Sequence, residues 1–109
     1  MSTPAIGALR RRVTLEAPVR TPDGGGGVTV TWALVATLWA ELKSLSGAEI
    51  VIAEGLQGKV THELTIRKRM DVSPAMRLRY GARIFIIWAV LDRDLPDPFI
   101  RIQAEERLL

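Results

Sequence analysis

From residue 28 to residue 42 every even position is apolar (Val28, Val30, Trp32, Leu34, Ala36, Leu38, Ala40, Leu42), while the odd series carries Thr29, Thr31, Thr37 and Glu41. Side chains on a β-strand alternate between two faces, so a run this long at period two predicts one long or bent strand with a buried face. Leu34, Leu38 and Leu42 also fit a helical stripe at spacing four, but the alternation spans the whole segment and β-branched residues lead it.

The same period recurs along the chain. Val13, Leu15 and Ala17 alternate with Arg12, Thr14 and Glu16, and the even residues from Val60 to Met70 alternate with Thr61, Glu63, Thr65, Arg67 and Arg69. Met76, Leu78 and Tyr80 alternate with Arg77 and Arg79, and Gly81-Ala82 suits a two-residue turn with glycine first. Residues 84–91 are apolar at every position and predict a central strand buried on both faces. After a loop over residues 92–98, Ile100, Ile102 and Ala104 alternate with Arg101, Gln103 and Glu105. Pro18, Pro22, Asp23 and four consecutive glycines predict a long flexible hairpin loop over residues 18–27.

One segment predicts a helix. Ser46 and Glu49 form an S-x-x-E capping box, Leu45 and Ile50 occupy the staple positions, and Gly55 suits the left-handed residue after a helix end. The expected fold is mainly β: a small antiparallel β-barrel or sandwich of about six strands with one short inserted α-helix. At 109 residues a single domain is expected, with an N-terminal arm over residues 1–9, the barrel over residues 10–109, and the helical insertion at residues 44–58.

No apolar run approaches the roughly 18 residues a membrane helix needs, and no basic stretch precedes the apolar N-terminal residues, so neither a membrane span nor a secretion signal is expected. The chain is expected to stay in the cytosol that makes it. Cysteine is absent, which removes disulfides, thiolate metal sites and cysteine nucleophiles. The net charge of +3 is unevenly spread: residues 59–83 hold seven cations against Glu63 and Asp71, while residues 21–58 and 84–109 are net acidic. Such segregation suits either a polyanion or another subunit.

Nothing in the pattern points to catalysis, a cofactor or a metal, and the chain is not expected to be an enzyme. His62, the only histidine, shares the apolar parity of Val60 and Leu64 and reads as a hydrogen-bonded, partly buried side chain. The serines lack a nucleophile motif. Asp92-Arg93-Asp94 lacks the glycine and closing glutamate of a calcium loop, and Gly24 to Gly27 neither opens a helix nor contains a phosphate-loop lysine. Trp32 and Trp88 read as core. Trp39 has the opposite parity to Leu38 and Ala40 and is the better interface anchor.

The ordered series Arg12-Val13-Thr14-Leu15, a Gly-rich hairpin, Trp32, Trp39-Ala40-Glu41-Leu42, Ser46-Gly47-Ala48-Glu49, Thr61-His62-Glu63-Leu64-Thr65-Ile66-Arg67, Arg77 to Tyr80 and Ile84 to Asp94 resembles the head-tail joining family of tailed bacteriophages. Its members are also called head-completion, head-closure or stopper proteins, with relatives in gene transfer agents. The resemblance implies a structural connector in the particle, assembled in the bacterial cytoplasm. Subunits would form a ring of six or twelve between the portal or adaptor ring and the tail-terminator or tail-tube ring. The ring would surround double-stranded DNA without reading its sequence. The resemblance places the insertion, with Ser46, Glu49, Ile50 and Glu54, at the channel or between subunits. Trp39, Arg67, Arg69, Arg77 and Arg79 are the interface candidates. The alternative is a small β-barrel nucleic-acid-binding module using the cations of residues 67–83, although that function calls for interleaved exposed aromatics and only Tyr80 has a suitable position.

Overall fold

The computed structural model describes residues 9–53 and 56–107, and gives the backbone path alone for residues 46–53 and 56–58. Among the described residues there are six strands: β1 (Arg11–Pro22), β2 (Val28–Ala53), β3 (Leu56–Arg67), β4 (Arg77–Tyr80), β5 (Arg83–Leu91) and β6 (Phe99–Arg107). They pair antiparallel in the order β1-β2-β3-β6-β5-β4, and β4 returns to β1 through Thr14↔Arg79 and Glu16↔Arg77, closing a barrel. Gly81, at φ +61°, makes the β4–β5 turn.

The interior is filled by alternate residues from every strand. Val13, Leu15, Leu64, Ile66, Leu78, Phe85, Ile87, Ile100 and Ile102 are all fully buried. A six-stranded barrel has room for these side chains and nothing else, so it is a packed core with no pore along its axis.

β2 shapes everything outside that core. Its 26 residues would reach about 86 Å if straight, yet the longest dimension of the molecule is 50 Å. The strand therefore bends, and it does so where its register slips. Leu15 faces Ala36 but Glu16 faces Leu34, so Val35 is an extra residue, a β-bulge. Because the side-chain period is two, one extra residue exchanges the faces of everything beyond it. Leu38, Ala36 and Ala40 belong to the inner face. Leu34, Trp32, Val30 and Val28 share their even numbering but pair with Glu16, Pro18, Arg20 and Pro22 on the outer face. Trp32 is thus an outer-face residue, which corrects the reading from parity alone. Trp88 is a second such case: Ile87 pairs with Ala104 and Ala89 with Gln103, leaving Trp88 bulged, half-buried and donating to Glu105 Oε1 at 3.0 Å. The uninterrupted apolar run of β5 thus arises in part from a change of face, since Phe85 and Ile87 before the bulge and Val90 after it all pack on the core.

Two expectations about connections are corrected. Residues 18–22 are not loop: β1 continues to Pro22, and beyond Glu16 it has lost β4 as a neighbour, so an open edge tolerates prolines without amide hydrogens. The turn itself is short and tied. Asp23 Oδ1 accepts from Gly25 N at 2.8 Å and Gly27 N at 3.0 Å, and these bonds hold its carboxyl below the usual range. A Cβ on Gly27 would meet Asp23 Oδ2 at 2.5 Å.

The inserted helix is also absent from the described residues. Glu49↔Val60, Ile50↔Lys59, Val51↔Gly58, Ile52↔Gln57 and Ala53↔Leu56 make a hairpin that extends the β2–β3 pair. Three consecutive β-branched residues, Ile50, Val51 and Ile52, lose side-chain freedom in a helix and favour a strand. A helix of eight residues would also be marginal without packing, whereas the hairpin gives each backbone a partner. Residues 54 and 55, and the side chains of Ser46, Glu49 and Ile50, lie outside the described residues.

The change of face at Val35 has a direct test. Leu15→Ala should destabilise the fold by about 2–5 kcal/mol as a fully buried leucine. Leu38→Ala, half-buried against the core, should cost about 1–3 kcal/mol, while the exposed Leu34→Ala should stay within about 0.5 kcal/mol. Equal losses at Leu34 and Leu38 in urea unfolding would contradict the bulge.

Candidate functional site

Trp39, Arg67 and Arg69 come together where β3 departs from β2. Ala40↔Ile66 is the last pair on that side, so the backbone of Thr37, Leu38 and Trp39 has no strand neighbour there among the described residues. A groove of about 320 Å³ opens between these three residues and Arg67, Lys68 and Arg69, with Leu9 also in its lining. Trp39 is 52% exposed, and the Arg12 guanidinium lies 5.2 Å from its ring centroid.

The cations of the groove are already engaged. Arg69 grips Asp71 through two bonds of 2.9 Å, which lower the Asp71 carboxyl and raise the guanidinium. Arg67 stacks 5.9 Å from the Phe99 ring, and Lys68 donates its amine to the Leu95 carbonyl. The Lys68 amide donates to Pro98 O at 2.9 Å, tying the groove to the β5–β6 loop.

Arg77 and Arg79 lie elsewhere, on the outer face of β4. Arg77 donates to Glu16 Oε1 at 2.6 Å and lies 4.2 Å over the Trp32 ring, with both charged side chains 12% exposed. Glu16, Arg77 and Trp32 form a stack at the point where β1 and β2 leave the barrel. Arg79 is half-buried, and its Nε has no acceptor among the described residues. The interface candidates therefore divide into a groove and a strut.

Alternation alone did not reveal the exposed apolar surface beyond the strut. Residues 17–22 of β1 and 28–34 of β2 form a two-stranded ribbon whose outer face shows Val28 (58% exposed), Val30 and Leu34 (67%). The available signal was Val35, which with Ala33 and Trp39 is apolar in the odd series. It marks where the pattern changes face.

His62 lies on the inner face, as its parity indicated. Its ring meets Phe85 edge-on at 5.1 Å, Thr61 Oγ1 lies 2.9 Å from Nδ1, and Glu106 Oε1 lies 3.7 Å from Nε2. Arg83 clamps Glu106 at 2.7 and 3.0 Å and approaches the same histidine nitrogen at 3.5 Å. Burial lowers the His62 pKa, Glu106 opposes that, and Arg83 adds to it. The Arg83 hydrogen bonds lower the Glu106 carboxyl. A histidine with a lowered folded-state pKa binds its proton more readily when unfolded. Its contribution to stability is present above the ordinary value of 6.5 and is lost as pH falls below it. Glu106 keeps its contribution to lower pH, through its own depressed range. His62→Gln should therefore flatten the stability profile between about pH 7 and pH 5.5, leaving the fall at more acid pH. An unchanged profile in pH-resolved thermal unfolding would contradict the assignment.

The profile of a family described as phage head completion protein matches residues 4–107. A chain in the virion of a native gene transfer agent particle shares 30% identity, covering 93% of this chain and 97% of that one at a TM-score of 0.66. The solution structure of protein SF1141 from Shigella flexneri 2a shares 26% identity, covering 93% and 95% at a TM-score of 0.68. No curated protein matches. A match along nearly the whole length, on a closed barrel of the expected strand count, identifies this chain as a member of the phage head completion protein family.

Proposed function

We propose that this protein is a structural connector subunit of a phage or phage-like particle. It forms a ring between the portal or adaptor and the tail, surrounds the DNA channel and provides the surface on which the tail docks. The observation that carries this reading is the end-to-end similarity to a chain of a gene transfer agent virion. The architecture is compatible with it: the barrel interior is filled, so a channel would lie between subunits, and two hairpins project from the body.

The β2–β3 hairpin is the channel-facing element in this reading. It carries Ser46, Glu49, Ile50 and Glu54, and four residues of β2, numbers 45–48, oppose Thr61 alone at its base. The extension can therefore change angle without disturbing the barrel registers on either side.

The nucleic-acid-module alternative is weakened by the pairing of its cations. Arg69, Arg77 and Arg83 each hold a carboxylate of the same chain. DNA affinity from counterion release needs cations that phosphates can claim.

Deleting the protein from its producer should leave DNA-filled heads and complete tails that fail to join, seen by electron microscopy. Joined, transfer-competent particles from the deletion strain would overturn the connector role. Replacing residues 46–57 by a short turn should leave the barrel folded and the particles joined, but with DNA retention reduced at least several-fold. Full retention would remove the hairpin from the channel.

A further inference from the structure

We propose that the β1–β2 ribbon of one subunit seats in the Trp39 groove of the next copy of this chain, making the contact that propagates the ring. The inference rests on the connector reading for ring closure, and its test separates the two. Exposed large apolar side chains sort into two places. Among the described residues, Val19, Val28, Val30, Leu34 and Val35 are on the ribbon, Trp39 lines the groove, Leu95 is on the loop that Lys68 reaches, and Met70 follows Arg69 in the chain. A two-stranded ribbon is marginal by itself, and an apolar face on one calls for a partner.

The partner's chemistry follows from charge. The ribbon's outer face carries Arg20 alone, and Asp23 at its tip is satisfied by its own turn. In the groove, Arg69 is held by Asp71, Lys68 by Leu95, and Arg67 lies over the Phe99 ring, while Arg12 beside the groove lies over Trp39. An acidic protein or a phosphate backbone would find few unclaimed cations there. A nearly neutral apolar strand suits the groove, and the ribbon is one.

Backbone geometry agrees. Among the described residues, β1 beyond Glu16 pairs with β2 alone, and β2 before Ala40 pairs with β1 alone. The unpaired stretch of β2 includes Thr37, Leu38 and Trp39, which form one wall of the groove, so an entering strand could add to that edge. The ribbon extends about 20 Å beyond Glu16, away from its own groove. A projecting finger and a separate receiving groove form a heterologous contact, the kind that closes into rings.

The chain has no native cysteine, so crosslinking can be site-specific. A producer carrying Val30→Cys with Thr37→Cys as its only copy would yield particles for treatment with a short bismaleimide and denaturing electrophoresis. A covalent ladder ending at the ring number is expected, with each single-cysteine variant remaining monomeric. A Val28→Cys and Thr37→Cys pair samples a position nearer the ribbon tip. Monomer alone from both pairs, in joined particles that contain the protein, overturns this contact and leaves the connector reading standing. Dimers from the Val30→Cys single variant would overturn it in favour of a two-fold ribbon contact. Joined particles that lack the protein overturn both readings. Val30→Glu and Trp39→Ala should each lower the yield of joined particles at least tenfold while the purified subunit melts as the parent does. Unchanged yield from both variants would overturn the contact.

Discussion

Side chains on a strand alternate between two faces, and in this barrel the face that each later residue occupies depends on where that alternation is interrupted. At Val35 one additional residue divides a single even-numbered apolar series into an inner half and an outer half. The inner half, Ala36, Leu38, Ala40 and Leu42, faces the barrel interior. The outer half, Val28, Val30, Trp32 and Leu34, becomes the face of a projecting ribbon. Trp88 repeats the device on β5, where the bulge lets Val90 return to the core after Ile87. The same apolar content therefore serves two purposes, and the position of one residue decides which.

An exposed bulge would leave the ribbon free to pivot, and the Glu16–Arg77–Trp32 stack opposes that. Arg77 belongs to β4 and Trp32 to the ribbon, so the guanidinium joins the closing strand of the barrel to the base of the finger. The pair is short and largely shielded, so losing one partner would leave a half-buried charge unmatched, a larger penalty than the small gain of a surface ion pair. The basic stretch of residues 59–83, which in the sequence reads as a field for a polyanion, is thus largely a set of internal supports. Arg69 fixes Asp71, Arg83 fixes Glu106 under His62, and Arg77 fixes the ribbon.

The sequence foretold much of the fold because the barrel obeys local rules. Period-two alternation located five of the six strands and an unbroken apolar run located β5, the Gly81-Ala82 turn and the loop of residues 92–98 fell where expected, and His62 occupies the partly buried site its parity indicated. The errors came where a nonlocal partner outweighed a local signal. The capping box at Ser46 and Glu49 favours a helix by about 1 kcal/mol, whereas strand pairing with residues 56–60 organises the whole segment. Pro18 and Pro22 signal a break only if the strand has neighbours on both sides, and beyond Glu16 β1 has one. Among the interface candidates, the exposure of Trp39 was legible in its parity, and Arg67 and Arg69 join it in one groove. Nothing local to Arg77 indicated that Glu16, 61 positions away, would claim it.

Size limits what the interior of this barrel can do. A barrel this small encloses only its own side chains, so neither a channel nor a binding cavity can be built inside it. Whatever such a subunit contributes to a particle must come from its outer faces and from segments that leave the barrel. β2 supplies both by continuing past the barrel body at each end, into the ribbon with β1 before Val35 and into the β2–β3 hairpin after Ser44. Each extension begins at a register shift, so its direction is set separately from the core. A single strand thereby joins a rigid barrel to two projecting hairpins, and bends in either one need not disturb the packing of Leu15, Leu64 and Phe85.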